Sequence, residues 1–385
     1  MRKPIKIVLV FLMFLIVLYF INSFINPEQR SLDTLQAGEE YEKGQVITVE
    51  NLDENGEVDG QFQNQIVTVK MLTGTLKGKT ITANNTLSNS PGWDIIVEPG
   101  DKVIVCLMEQ NSEISEAYIC DMARSDQLKY LFISFVFVLV LVGGLKGIKS
   151  VIALGLAMIS IYQILLPALL KGFSPLPVTI LILIIITPVT LFLVGGVNRK
   201  SLAATAGTLG GVLIAGLIAL LMGHHASLSG LADEESRMLL YIENLQFDMQ
   251  GLLFSGIIIG ALGAIMDVAM SIASAIDEVR KANPRLTKWQ LIGAGINVGR
   301  DIMGTMANTL ILAYTGGALP FFLLFMAYQM PGIRIFNSEL IATEIVRSLG
   351  GSIGLVFTIP ITAIISGYLL KPASIAQEYR QETEI

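Results

Sequence analysis

Residues 251–271 read GLLFSGIIIGALGAIMDVAMS. At 1.5 Å of helical rise per residue the stretch covers roughly 30 Å, the thickness of a bilayer's hydrocarbon core, so it reads as a transmembrane helix. Gly251, Gly256, Gly260 and Gly263 give it a small-residue face that lets another helix approach closely. Asp267 follows, with Ser271 four residues on and on the same face. A carboxylate in lipid costs roughly 2.5–3.5 kcal/mol, so a residue kept there at that cost points to function or to a buried partner.

The next apolar segment opens with Asn297-Val-Gly299-Arg300-Asp301-Ile-Met-Gly304-Thr305-Met-Ala-Asn308. Asn297, Asp301, Thr305 and Asn308 fall on one helical face at spacings of four, four and three. Gly293, Gly295 and Gly299 predict a break before Arg300, of the kind that frees backbone groups for an ion or substrate. Arg300 is poorly placed to pair with its neighbour Asp301, so Asp267 across the helix interface is its expected partner. Such a pair leaves Asp301 and Asn297 free for a permeant ligand. The competing reading is a strut that joins two helices without touching substrate.

The rest of the chain sets the class. Apolar residues make up 52% and charged residues 15%, and mean hydropathy is +0.64, values of a polytopic membrane protein. Runs long enough to cross a bilayer stand at roughly 7–25, 129–146, 150–170, 177–196, 202–222, 250–272, 302–327 and 350–370, which gives about eight spans. Basic residues alternate across the connections. Arg2, Lys3, Lys6, Lys146, Lys149, Arg199 and Lys200 fall on one side, as do Arg280, Lys281, Arg285, Lys288, Lys371 and Arg380. The opposite short loops carry only Lys171, Arg237, Arg334 and Arg347. The positive-inside rule then puts both termini in the cytoplasm and residues 26–128 outside, in the plasma membrane.

This divides the chain into a signal-anchor helix at 1–27, an outer domain at 40–122, a membrane domain at 128–372 and a cytoplasmic tail at 373–385. The outer domain carries five short β-branched runs, at 45–49, 65–71, 79–82, 102–106 and 117–120, each bounded by turn residues. They predict a small all-β barrel of OB-like type. Folding the last two runs about 111–115 sets Cys106 opposite Cys120, where a disulfide is geometrically open; two strand cysteines without a bond is the equal alternative. Met238, Tyr241, Ile242 and Leu245 predict one interfacial helix outside the membrane, and Ser338 caps another with Leu340, Ile341, Ile345 and Val346 on its apolar face. On the inner side the span ending at Ser271 runs on as a polar helix, and Asn283-Pro284 stops it. A capping box at Thr287-Lys-Trp-Gln290 then starts a second short helix, so 274–291 is a candidate dock for a cytoplasmic partner. An ungapped match of Arg199 onwards with Arg300 onwards hints at a parallel repeat.

Other classes are disfavoured. Two histidines and two cysteines argue against a zinc or iron–sulfur centre. No Walker loop, no His-Glu-x-x-His motif and no serine–histidine arrangement near the polar residues is present, so neither cofactor nor catalysis is expected. No basic block points to nucleic acid.

The segments 263–271 and 297–314, with Gly317-Ala-Leu-Pro320 after them, resemble the YibE/F-like family of bacterial membrane proteins. The resemblance spans about residues 130–372, and the signal anchor with its outer domain is similar to the longer, YibE-type member. It implies a permease or permease subunit with no settled substrate, partnered by the lipid bilayer and by a second permease-like chain. The expected substrate- or ion-binding set is Asp267, Ser271, Asn297, Arg300, Asp301, Thr305 and Asn308. The competing expectation is a non-transporting scaffold or sensor whose outer domain binds a ligand or partner.

Overall fold

The computed structural model describes residues 39–52, 64–88, 92, 94–110, 113–242 and 246–370. The expected span at 7–25, the tail at 373–385 and Leu245 lie outside the described residues. The chain divides into two compact units between Val142 and Gly143.

In the first unit the five β-branched runs become β1 (Glu39–Leu52), β2 (Asn64–Met71), β3 (Thr80–Thr86), β4 (Lys102–Gln110) and β5 (Glu113–Met122). They close a barrel in the order β1-β2-β3-β5-β4. β1 serves two neighbours, pairing with β4 through Glu39–Gln45 and with β2 through Gly44–Leu52. Gly44 stands at that changeover, where a Cβ would strike the side chain of Val69, so the strand turns the barrel corner only with glycine. Val67, Val69 and Met71 alternate inward and meet Val103, Val105 and Leu107 in one core. The OB-like expectation holds, and closure removes the edges that a five-stranded sheet would otherwise expose.

The cysteine pairing does not hold. Cys106 faces Tyr118 across the β4–β5 ladder, and the register shifts between Ile104 and Val105 so that Cys120 is the extra residue of a bulge. No disulfide joins the two cysteines. The turn is also tighter than expected, because Gln110 pairs directly with Glu113.

A buried amide chain went unseen in the sequence. Asn85 Nδ2 donates to Gln65 Oε1 at 2.8 Å and to the Ile95 carbonyl at 2.6 Å, while Val97 N–H donates to the same Gln65 oxygen at 3.3 Å. These bonds hold the irregular segment 94–98 against β2 and β3. Asn85→Ala is expected to take the donor from the Ile95 carbonyl and leave Gln65 Oε1 with Val97 alone, at about 1–3 kcal/mol. Hydrogen exchange of the full chain should then quicken at residues 95–97 while β1 and β2 keep their protection.

The helices are α1 (Ser125–Leu170), α2 (Pro175–Gly195), α3 (Arg199–His225), α4 (Glu234–Met238), α5 (Met249–Ala282), α6 (Lys288–Gly317), α7 (Leu319–Ala327), α8 (Gly332–Phe336) and α9 (Glu339–Leu369). Five of them, α1, α2, α3, α5 and α9, are long and apolar enough to cross a membrane among the described residues; α6 and α7, bent by 54°, count together as a sixth. α1 covers both expected spans, 129–146 and 150–170, as two helical stretches that meet at a kink. It is broken at Gly144, whose φ of 54° and ψ of −133° suit only glycine. Each stretch is long enough for a crossing of its own. Its surface is apolar all round, with Leu131 66%, Phe137 63% and Val142 80% exposed, a helix suited to lipid and not to water.

In the second unit α5 supplies the centre of the core. Ile258, Ala261, Ile265, Val268, Ile272 and Ile276 share its inner face and meet α3, α6 and α9. The closest approach is elsewhere, between α3 and α9. A Cβ at Gly207 would overlap Thr362, and one at Gly211 would overlap Thr358 and lie 3.0 Å from the Gly354 carbonyl. Thr208 and Thr358 turn their hydroxyls back to the carbonyls of Ala204 and Gly354, at 2.8 and 2.9 Å, which satisfies them inside a dry contact.

Further expectations change. α6 has no break at Gly293–Gly299: it is continuous from Lys288, because Gly295 and Gly299 are where Ile276 of α5 and Ile359 and Ala363 of α9 press against it. The glycines serve close packing and not chain interruption. The interruption falls later, at Ala318, where Pro320 opens α7 in a new direction. The two interfacial helices also differ. α4 is a single short helix followed by a 3-10 turn at Leu239–Tyr241, with Met238 65% and Tyr241 85% exposed, and Ser338 caps α9 itself, accepting from Ile341 N–H at 3.5 Å. The inner connection keeps its stop and its cap, with α5 ending at Ala282 and the Thr287–Gln290 capping box starting a helix, but that helix is the long α6 and not a short one.

Candidate functional site

α5 and α6 run antiparallel, and two contacts fix their register. Ile276 meets Gly295, and the Tyr314 hydroxyl sits over Gly260. Residue numbers facing each other therefore sum to about 571–574, which brings Asp267 level with Thr305 and Ser271 level with Arg300 and Asp301. Arg300 stands four to seven residues from Asp267 along the helices, roughly 6–10 Å of rise. The expected Asp267–Arg300 pair does not form, and among the described residues neither makes an ion pair. The strut reading loses its contact for the same reason.

The seven expected residues do fall together, but on the outside of the unit. On α5, Gly256, Gly260, Gly263, Asp267 and Ser271 form an exposed stripe at spacings of four, three, four and four, directly opposite the inner face. On α6, Asn297, Arg300, Asp301, Thr305 and Asn308 are exposed, opposite the side that buries Leu291, Gly295, Gly299 and Leu310. Gly263 and Gly304 have open space where a side chain would stand. Tyr314 joins the two faces by covering Gly260.

The parallel repeat finds no support here. Gly207 is buried against Thr362, whereas its counterpart Asn308 is exposed.

This face is the reverse of what lipid selects. Asp267, Arg300 and Asp301 turned into hydrocarbon would together cost roughly 7–10 kcal/mol, comparable with the whole stability of a domain, about 5–15 kcal/mol. α1 exposes Leu, Phe and Val; α5 and α6 expose Gly, Asn, Thr and Asp. A polar helix face of this kind is covered by protein or by water.

One ionic element was missed by reading Arg347 as a loop residue. It lies within α9, donating from Nη1 to Glu344 Oε1 at 2.6 Å, with its guanidinium 5.9 Å from the Tyr314 ring. The i, i+3 spacing of Glu344 and Arg347 was the available signal.

Comparison with protein families places both units. A profile described as YibE/F-like protein matches residues 131–372, and one described as YibE/F family N-terminal domain matches residues 38–122. The chain belongs to the YibE/F-like family. The polar face on α5 and α6 thus lies in the region that the YibE/F-like profile covers, and the barrel of this YibE/F-like membrane protein is the family's N-terminal domain. No curated protein and no solved structure matches the chain.

Proposed function

We propose that the chain is a permease or permease subunit of the plasma membrane, moving a small solute or ion along the polar face of α5 and α6. One observation carries this: charged, amide and hydroxyl side chains line an open, glycine-floored surface on two membrane helices, turned away from the core. Asp267 serves as the titrating carboxylate. Asn297, Asp301, Thr305 and Asn308 contact the solute, Ser271 extends the same stripe, and Arg300 balances charge at the level of Asp301. A second permease-like chain closes the open side. The barrel lies outside the cell and both termini inside, as the basic residues require. The last turns of α5, where Asp277 pairs with Arg280 and Lys281 at 3.0 and 2.9 Å, and the connection to α6 form the surface for a cytoplasmic partner. No step in this reading calls for catalysis.

The test needs no knowledge of the solute. In a background with Cys106→Ser and Cys120→Ser, single cysteines at Thr305 and Asn308 are expected to react with a small charged methanethiosulfonate in intact membranes. A cysteine at Leu310, buried on the opposite side of α6, is expected to stay unreacted. Silence at both Thr305 and Asn308 removes the water-filled path.

A second reading, a sensor, draws on a specific tie. Asp126 in the first turn of α1 accepts from Lys43 of β1 at 2.8 Å and lies 3.7 Å from Lys102 of β4, so the barrel grips the helix that follows it. Deleting residues 40–122 separates the two: a permease core keeps the thiol reactivity of Thr305→Cys, and a sensor loses its ligand response.

A further inference from the structure

A cavity of about 320 Å³ lies between the end of α1, the start of α5, the start of α9 and the segment 230–236, touching the polar stripe only at Gly256. Its volume is at the lower end of the roughly 300–1,000 Å³ of small-molecule sites. Three features mark it as more than a packing gap. The α1 wall contains a π-helical turn, Ile161–Leu165, a costly irregularity that recurs at functional sites. Ser255 and Thr343, only 1% and 3% exposed, are among the residues that line the cavity, and their buried hydroxyl oxygens have no hydrogen-bond partner among the described residues. Asp233 and Arg347 also line it and are not bonded to each other, and Arg347 spends one of its five N–H groups on Glu344.

The remaining wall is apolar, with Leu165, Leu169, Leu252 and Ile259. From this lining we infer that the cavity is a binding site for a small zwitterion with an apolar body, the chemistry of an aliphatic amino acid. The ligand's carboxylate meets Arg347 and the two hydroxyls, its ammonium meets Asp233, and its side chain fills the leucine wall. A plain carboxylate would face Asp233 with like charge, and a plain amine would leave Arg347 and the hydroxyls unused. The site is a matter of binding and stands whether or not the polar face conducts.

The test uses the full chain in lipid nanodiscs and isothermal titration with L-leucine, 4-methylpentanoate, which lacks the ammonium, and leucinamide, which lacks the carboxylate. Leucine is expected to bind saturably and at least tenfold more tightly than either analogue. Thr343→Val, which keeps the side-chain shape and loses one hydrogen bond, should weaken leucine about fivefold without lowering the melting temperature. Leu165→Trp, which fills the cavity, should remove binding; if that variant does not fold, Thr343→Val alone decides. No saturable leucine binding at millimolar concentration overturns the assignment. So does an analogue that binds as tightly as leucine, or leucine binding that Thr343→Val leaves unchanged.

Discussion

Valine at Gly211 will destroy or deeply destabilise the helical unit, whereas alanine at Gly263 or Gly304 will leave it folded. All three residues sit in membrane helices and look alike in the sequence. The difference lies in what a Cβ would meet. At Gly211 it overlaps Thr358 and approaches the Gly354 carbonyl at 3.0 Å; from the other side, a Cβ at Gly354 would lie 2.7 Å from the Gly211 carbonyl. Both obstructions belong to helix backbone or to a β-branched side chain fixed in a helix, so neither moves aside cheaply. Overpacking costs typically about 1–3 kcal/mol where side chains can give, so a backbone clash on both flanks should exceed about 3 kcal/mol. For a unit of this size that is a fall in melting temperature of roughly 6–12 °C, or no folded protein at all. Gly263 and Gly304 have nothing within van der Waals reach, and alanine there gains up to about 1 kcal/mol of helix propensity. Detergent-solubilised protein followed by size exclusion against temperature reads both. Equal losses at Gly211 and Gly263 would mean that the α3–α9 contact is not the closest seam of the fold.

That contrast also shows where sequence reasoning reached its limit. The membrane class, the five strands, the stop at Asn283-Pro284 and the Thr287 cap are local signals, carried by composition, alternation and turn chemistry, and the structure keeps them. The glycines of α6 are not local signals. Gly293, Gly295 and Gly299 lower helix propensity and so point to a break, but Gly295 and Gly299 are held in a continuous helix by α5 and α9, which no single segment encodes. The Cys106–Cys120 pairing failed because Gln110 pairs with Glu113, which centres the hairpin earlier than expected and sets Tyr118 opposite Cys106. For the candidate site the face was legible from spacing alone. Its orientation was not, because whether Asn297, Asp301 and Asn308 turn inward or outward depends on which side of α6 the other helices choose.

Orientation is what makes the prediction at Asp267 severe. Asp267→Asn is expected to slow transport at least tenfold while the protein folds and inserts as before. Removing one partner of a buried ion pair typically costs about 3–5 kcal/mol, because the other charge is stranded. Asp267 is exposed and has no ion partner among the described residues, so nothing is stranded and melting should shift by less than about 1 kcal/mol in equivalent stability. The carboxylate stands on the glycine stripe level with Thr305, where a proton or cation on the proposed path would meet it. Proteoliposomes carrying the wild-type chain and an imposed pH gradient should dissipate that gradient; with asparagine the dissipation should fall to near the lipid background, and with Asp267→Glu part of it should return. Dissipation by the asparagine variant at the wild-type rate takes Asp267 out of the mechanism. An asparagine variant that fails to fold shows instead that the carboxylate has a structural partner, and the open face must then be a contact with another chain. Wild-type vesicles that hold their gradient remove proton coupling altogether, and the grip of Lys43 and Lys102 on Asp126 becomes the stronger basis for assigning a role to this protein.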